Sequence, residues 1–236
     1  AATQERKIRT REAEEEATGE KKRGRKPAVP DPTPAKGAKA NVTDPESRIM
    51  KTRRGFVQAY NAQAAVTEEQ IIVAAEVTQE ANDVKQLAPM MGAVREMSRE
   101  AGLGGMPDVC LADAGYWSEA NGRTDGRRKT EFLIATMKDY RRRKALKEMP
   151  PPRGRIPRGA TPQDLMERKL RTKRGRDLYP RRSRTVEPVF GQIKDARGID
   201  RFLLRGERGA SVEWKLICGT HNLLKMWRHG GSRTVH

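Results

Sequence analysis

Apolar side chains are almost absent from residues 1–40, then return in short runs whose period changes along the chain. Residues 56–66 and 70–77 are β-prone runs split by Thr67-Glu68-Glu69, a spacing that predicts a hairpin. Val84, Leu87, Met91, Val94 and Met97 recur at three- and four-residue steps. They predict a helix over 83–100, capped by Asn82 or Asp83. Residues 108–113 read as a short buried strand that ends in Ala-Gly, and residues 131–137 as another. The basic, proline-rich stretch 141–159 reads as a loop, and Pro162 opens a helix over 162–174. Thr185 is placed to cap a further helix to Arg197, with Pro188 in its first turn and Val186, Phe190 and Ile193 facing inward. The last helix, 208–228, is expected to bury Val212, Leu216, Leu223, Leu224 and Trp227. Early strands, followed by strands and helices in alternation, predict an α/β layer with a mixed sheet.

Composition divides the chain and points to a partner. Residues 1–40 alternate charge blocks, Glu14-Glu15-Glu16 and then Lys21-Lys22-Arg23 and Arg25-Lys26, followed by Pro27, Pro30, Pro32 and Pro34. Such a segment buries too little to offset its ordering entropy, so it is expected to be a disordered arm or linker, with a charged helix over 4–18 as its one local structure. A domain over 41–228 and a disordered tail over 229–236 complete the expected organisation. Lys and Arg total 49 against 31 Asp and Glu, a formal charge of +18. That field favours a polyanion, and nucleic acid first, because each neutralised phosphate releases counterions. No run approaches the roughly 18 apolar residues of a membrane span, and residues 1–40 hold no signal-peptide-like stretch, so the expected compartment is the cytoplasm. Cys110 and Cys218 each sit in apolar runs without a CxxC, as small buried hydrophobes would. His221, His229 and His236 are read as polar helix-face residues rather than zinc ligands.

Two segments carry candidate chemistry. In Leu111-Ala112-Asp113-Ala114-Gly115-Tyr116-Trp117 a carboxylate stands at the carboxyl end of an apolar strand, where open α/β sheets bind ligands, and small residues follow it. The alternative is that Asp113 only caps the next helix. In Arg184-Thr185-Val186-Glu187-Pro188-Val189-Phe190-Gly191-Gln192-Ile193-Lys194, seven steps of about 100° put Glu187 and Lys194 on nearly the same helix face. Tyr179, Arg181, Arg182 and Arg184 lie just upstream; the alternative is a solvated helix with charges at heptad spacing. Oxygen-only ligation by Asp and Glu suits Mg²⁺ or Mn²⁺ and metal-assisted phosphoryl transfer. The chain offers no P-loop and no serine–histidine or cysteine–histidine spacing.

These residues resemble a known family. Asn41-Val42-Thr43-Asp44-Pro45-Glu46-Ser47-Arg48, Tyr60-Asn61-Ala62-Gln63, Asn82-Asp83, Leu111-Ala112-Asp113-Ala114-Gly115-Tyr116 and Val186-Glu187-Pro188-Val189-Phe190-Gly191-Gln192-Ile193-Lys194, in that order, resemble bacterial insertion-sequence DDE transposases over about residues 41–228. The resemblance implies an RNase H-like mixed sheet flanked by helices, and Mg²⁺- or Mn²⁺-dependent cleavage and transfer of DNA strands. It implies Asp113 and Glu187 as the second and third catalytic, metal-holding acids, with Tyr179, Arg182 or Arg184, and Lys194 on DNA. Transposon-end DNA and a homo-oligomer on it are the implied partners. The family's first Asp stands in an Asp-Gly-Thr strand ahead of the Asn41 motif. No such strand occurs in residues 1–40, so the expected fold is the C-terminal portion of the domain, incomplete at its N-terminal strand. Asp44 precedes a proline and Asp83 reads as a helix cap, so neither is expected to replace that acid. The other reading is a non-catalytic basic DNA-binding fragment that interacts with full-length transposase.

Overall fold

A computed structural model of the chain describes residues 2–21, 24, 26, 27, 29, 41–52, 55–103, 105–123 and 130–231. Lys22, Arg23 and Arg25 of the basic cluster, Pro30, Pro32 and Pro34, and the end of the tail with His236 lie outside them. The chain divides into two compact units, Ala1–Val42 and Thr43–His236. In the first, Ala2–Thr18 forms helix α1, where Arg11 Nε pairs with Glu15 one turn on at 2.8 Å.

The second unit opens with strands β1 (Arg48–Thr52) and β2 (Gly55–Ala59), then β3 (Asn61–Val66) and β4 (Ile72–Thr78). A 3₁₀ turn (Asp83–Lys85) leads into α2 (Leu87–Glu100), β5 (Val109–Ala112), α3 (Glu119–Arg123) and β6 (Glu131–Ile134). Five helices follow: α4 (Tyr140–Glu148), α5 (Pro162–Arg171), α6 (Lys173–Leu178), α7 (Arg181–Gly191) and α8 (Gly206–Gly231). The architecture is therefore α/β, but among the described residues the strands do not form the single mixed sheet expected. They form three separate pairs, β1–β2 and β3–β4 antiparallel and β5–β6 parallel. The run 56–66 breaks at Tyr60, whose hydroxyl donates to Asp44 at 2.8 Å, and its halves join different pairs.

Alternation along β3 and β4, its phase reset by a register shift between Ala65 and Val66 that sets Ile72 and Ala74 on opposite faces, sends side chains to two cores. Ile72 and Val77 pack with Val189, Ile193, Ala210, Trp214 and Ile217 from α7, the turn after it and α8. On the opposite face Ala74 packs against Met90 and Val94 of α2. Leu87 and Met91, also from α2, cover Ala112, Phe132, Ile134 and Met166 around the β5–β6 pair. One helix thus packs on both the β3–β4 and the β5–β6 pair.

Several boundaries differ from the sequence expectation for identifiable reasons. The expected loop 141–159 begins as helix α4, because the Asp139 carboxylate accepts the Arg142 amide at 3.0 Å as an N-cap, and the helix ends before Pro150. The expected helix 162–174 is two helices, α5 with a Thr161–Asp164 capping box and α6 capped by Thr172. Gly175 makes that corner possible, since a Cβ there would run into the Lys169 carbonyl and the Leu170 backbone. Helix α7 starts at Arg181, so Thr185 is not its cap; its hydroxyl donates to the Arg182 carbonyl instead. Pro188 therefore lies inside the helix and supplies no N–H to the Arg184 carbonyl four residues back. The Gln70 side-chain amide fills that role at 3.0 Å.

Helix α8 presents a different face from the one expected. Val212, Leu216 and Trp227 are 57, 66 and 72% exposed, while Ala210, Trp214, Ile217, Cys218 and His221 are buried. Polar residues hold the inward face because the strands offer them unpaired backbone. Trp214 Nε1 donates to the Gln63 carbonyl at 2.8 Å, and His221 Nε2 lies 3.0 Å from the Gln70 carbonyl. Asn222 pairs with both the N–H and the C=O of Ile72 at 2.8 Å. His221 is thus a buried structural residue rather than a polar face residue.

The N-terminus of α8 is capped from a distance. Asp44 Oδ2 accepts the Gly206 amide at 3.2 Å and Glu46 accepts the Glu207 amide at 2.6 Å, so two carboxylates meet the positive end of the helix. Burial opposes the Asp44 charge, but the Tyr60 hydroxyl and the amides of Gly206, Ser47 and Glu46 outweigh it and hold its carboxyl below 3.8. A depressed carboxylate contributes stability that is present above its unfolded pKa and lost as pH falls through its folded one. Asp44→Asn is therefore expected to lower the melting temperature at neutral pH. That deficit shrinks once the pH drops below 3.8, which thermal melts across that range check.

Candidate active site

Strand β3 ends the chain's Tyr60-Asn61-Ala62-Gln63 motif with two amides on one face, because residues two apart along a strand point the same way. Both donate to Asp83 Oδ1, Asn61 at 2.7 Å and Gln63 at 2.8 Å. Gln63 also donates to Asn61 Oδ1 at 2.8 Å, and the Tyr116 hydroxyl donates to Gln63 Oε1. Burial first, then the Asp83 and Asp113 carboxylates, push the Tyr116 hydroxyl far above its ordinary pKa of 10, which keeps it a donor. Asp83 is thus held by side chains of β3, and the expected helix cap at Asn82 or Asp83 is not made by either side chain.

Asp113 leaves the carboxyl end of β5, where its Oδ1 accepts the Gly115 amide at 2.7 Å. The two aspartates converge. A Cβ on Gly115 would lie 2.8 Å from Asp83 Oδ2 and 2.9 Å from Asp113 Oδ1, so glycine leaves open the space both carboxylates face. This pairing was invisible in the order of residues, since thirty positions separate the acids. The signal available was the amide pair at Asn61 and Gln63, which needs an acceptor when buried on one strand face.

A cavity of about 730 Å³ adjoins the pair, with Asn61, Gln63, Asp83, Asp113, Arg181 and Arg182 at its polar part. Tyr179 stands behind β5: its hydroxyl donates to the Ala112 carbonyl at 3.2 Å, one residue before Asp113. Burial, opposed by Arg182 and helped by Asp113, raises its pKa, so it remains a hydroxyl. Arg182 is mostly covered and pairs with Glu187 at 3.6 Å. Glu187 is 65% exposed at its side chain and is outside the lining of the cavity. Arg184 is exposed, and Lys194 Nζ lies 5.6 Å from the centre of the Phe190 ring, on a π-helical turn (Gln192–Ala196) that continues α7. That turn departs from the uniform 100° step behind the expected Glu187–Lys194 face.

Among the described residues, no three His, Cys, Asp or Glu side chains group to hold a metal. Asp83 and Asp113 nevertheless form an all-oxygen pair. Mg²⁺ is commonly held by one or two carboxylates together with substrate phosphates and water, so this donor set fits a single hard cation. Cys110 stands in the preceding strand, but burial pushes its thiol up to about 11, which leaves it an uncharged packing group.

No curated protein and no solved structure matches the chain. No helix among the described residues is long and apolar enough to cross a membrane. The family model described as "Transposase DDE domain" matches residues 22–223, a span that takes in Asp83, Asp113, Tyr179, Arg182, Arg184, Glu187 and Lys194. The chain belongs to the DDE transposase domain family.

Proposed function

We propose that the chain carries the Mg²⁺- or Mn²⁺-dependent DNA strand cleavage and transfer chemistry of a transposase, on an RNase H-like framework and in the cytoplasm. The observation that carries the reading is the convergence of Asp83 and Asp113 beside Gly115, at a strand end and on a cavity that Arg182 also lines. Asp113 and Glu187 are the metal-holding acids implied by the motifs, and Asp83 is the acid that the fold sets against Asp113. Glu187 now pairs with Arg182 on an exposed side chain. Such a pair is worth about 0–1 kcal/mol, so a phosphate or an ion competes with it readily.

A bound divalent ion would activate the attacking oxygen and stabilise the leaving one. The chain's own residues do the rest. Asn61 and Gln63 fix the orientation of Asp83, the Gly115 amide fixes that of Asp113, and Tyr179 ties the strand end beneath it. Arg182, Arg184 and Lys194 are assigned to DNA phosphates, with Tyr179 as a positioning residue. The basic helix α4, with Arg141, Arg142, Arg143, Lys144 and Lys147, adds positive field along the same chain. A homo-oligomer on transposon ends is part of this proposal.

A second reading, a non-catalytic DNA-binding fragment, is favoured by one observation: no third carboxylate joins the pair among the described residues. Incubating the protein with transposon-end DNA in Mn²⁺ and in EDTA separates the two. The catalytic reading expects nicked or joined products in Mn²⁺ and none in EDTA. Salt-sensitive binding with no product in either condition would leave only the second reading.

A further inference from the structure

Between α4 and α5 the chain runs Pro150-Pro151-Pro152-Arg153-Gly154-Arg155-Ile156-Pro157-Arg158, a stretch without an Asp or Glu. It forms neither helix nor strand, yet its backbone is tied down. Arg176 of α6 donates to the Met149 carbonyl. From α5, Arg171 donates to the Pro150 carbonyl at 3.1 Å and Arg168 to the Gly154 carbonyl at 2.5 Å. Four prolines fix φ along the same stretch.

Gly154 stands at a φ of +74°, and a Cβ there would meet nothing within 4 Å, so bare backbone faces open space between two arginines. The positive φ accounts for the glycine as a turn residue. It does not account for its neighbours. Arg153, Arg155 and Arg158 are exposed, and among the described residues none of them has a hydrogen-bond or ion-pair partner. Three arginines of α5 and α6 thus order the loop, while the loop's own three are left to solvent.

We propose that residues 152–158 read the minor groove of A·T-rich duplex DNA, with Arg153 and Arg155 on the base edges and Arg158 on a flanking phosphate. This goes beyond the phosphate contacts assigned above. It rests on duplex DNA being the partner, but not on its cleavage. The major groove admits a helix or a β-ribbon, and the loop has neither. The minor groove, about 6 Å wide, offers only acceptors at A·T pairs, which suit a guanidinium that can only donate. Its potential is most negative where A-tracts narrow it. A residue without a side chain lets the backbone approach the groove while the arginines on each side reach along it. G·C pairs put the guanine 2-amino group in that path, a donor facing donors. A loop already ordered also loses less entropy on docking.

The test measures binding of the whole chain to A·T, G·C and inosine–cytosine duplexes of one length, by fluorescence anisotropy at fixed salt. Inosine–cytosine pairs keep the major-groove pattern of G·C but lack the 2-amino group in the minor groove. The proposal expects A·T and inosine–cytosine duplexes to bind alike, and roughly tenfold or more tighter than G·C. Arg153→Ala/Arg155→Ala should remove that preference and keep salt-sensitive binding, with an unchanged melting curve because both side chains are exposed. Arg23-Gly24-Arg25 repeats the triplet in sequence, so Arg23→Ala/Arg25→Ala is the companion variant, and it should keep the preference. Three results overturn the proposal alone. Inosine–cytosine binding like G·C would mean major-groove reading. An equal loss on all three duplexes in the first variant would mean phosphate contact only. A preference that survives the first variant and disappears in the companion would move the reader elsewhere. No binding to any duplex would overturn the transposase reading as well.

Discussion

Asp113→Ala is expected to lower Mn²⁺-supported DNA strand cleavage by at least about a hundredfold. Loss of a residue that only supports a metal ligand costs about 10–100-fold, and a carboxylate on the metal should cost no less. The structure gives this position three distinguishing features. Its carboxylate leaves the end of β5, it is oriented by the Gly115 amide, and it shares the Gly115 space with Asp83. The substitution removes one local hydrogen bond from a turn, so folding should be nearly unaffected, and a melting curve alongside the cleavage assay shows whether it is. Asp113→Asn keeps the shape and the amide contact while removing the charge. A loss of the same order in both variants assigns the effect to the carboxylate, whereas full activity in either one contradicts the assignment.

Trp214→Ala is expected to be the most destabilising single change in the second unit, by about 3–5 kcal/mol. Trp214 is buried in the core that β4, α7 and α8 form around Ile72, Val77 and Val189. Its ring stacks on Phe190 at 5.9 Å and meets Phe202 edge-on at 6.3 Å. Its indole N–H also reaches the Gln63 carbonyl at 2.8 Å, in the strand whose side chains hold Asp83. Truncation opens a cavity and leaves that carbonyl without its donor, so a chemical denaturation midpoint should fall sharply. Trp214→Phe keeps most of the packing but not the bond. The difference between the two variants therefore separates the cavity from the hydrogen bond, and a shift under about 1 kcal/mol for Trp214→Ala would show that α8 is not clamped there.

The parts of this fold that were legible in sequence are those set by local period and turn chemistry. The β3–β4 hairpin across Thr67-Glu68-Glu69, strands β5 and β6, and the Leu87, Met91, Val94 face of α2 follow from residues close in the chain. Helix α8 was legible as a helix but not in its orientation. It carries two apolar stripes, and His221 and Asn222 point inward because the Gln70 and Ile72 backbone groups need partners from another element. Pro188 reads locally as a first-turn residue for the same reason: the donor that lets it lie inside the helix, Gln70, is 114 positions from the carbonyl it serves. At the candidate site, the place of Asp113 at a strand end is legible from an apolar run followed by small residues. Asp83 was not, because a local reading of Asn82-Asp83 before a helix gives a cap, whereas the acceptor is claimed by amides on β3. The motif Tyr60-Asn61-Ala62-Gln63 carried the clue as two amides at a spacing of two.

Asp83 and Asp113 are proposed to act as one ligand pair. Calorimetric titration of Mn²⁺ into the protein with a short DNA duplex, for wild type, Asp83→Asn, Asp113→Asn and the double variant, tests it directly. Each single change is expected to weaken Mn²⁺ binding roughly tenfold or more and the double change to add little, since ligands of one ion couple strongly. Unchanged affinity in Asp83→Asn, or losses that simply add in the double variant, would contradict it.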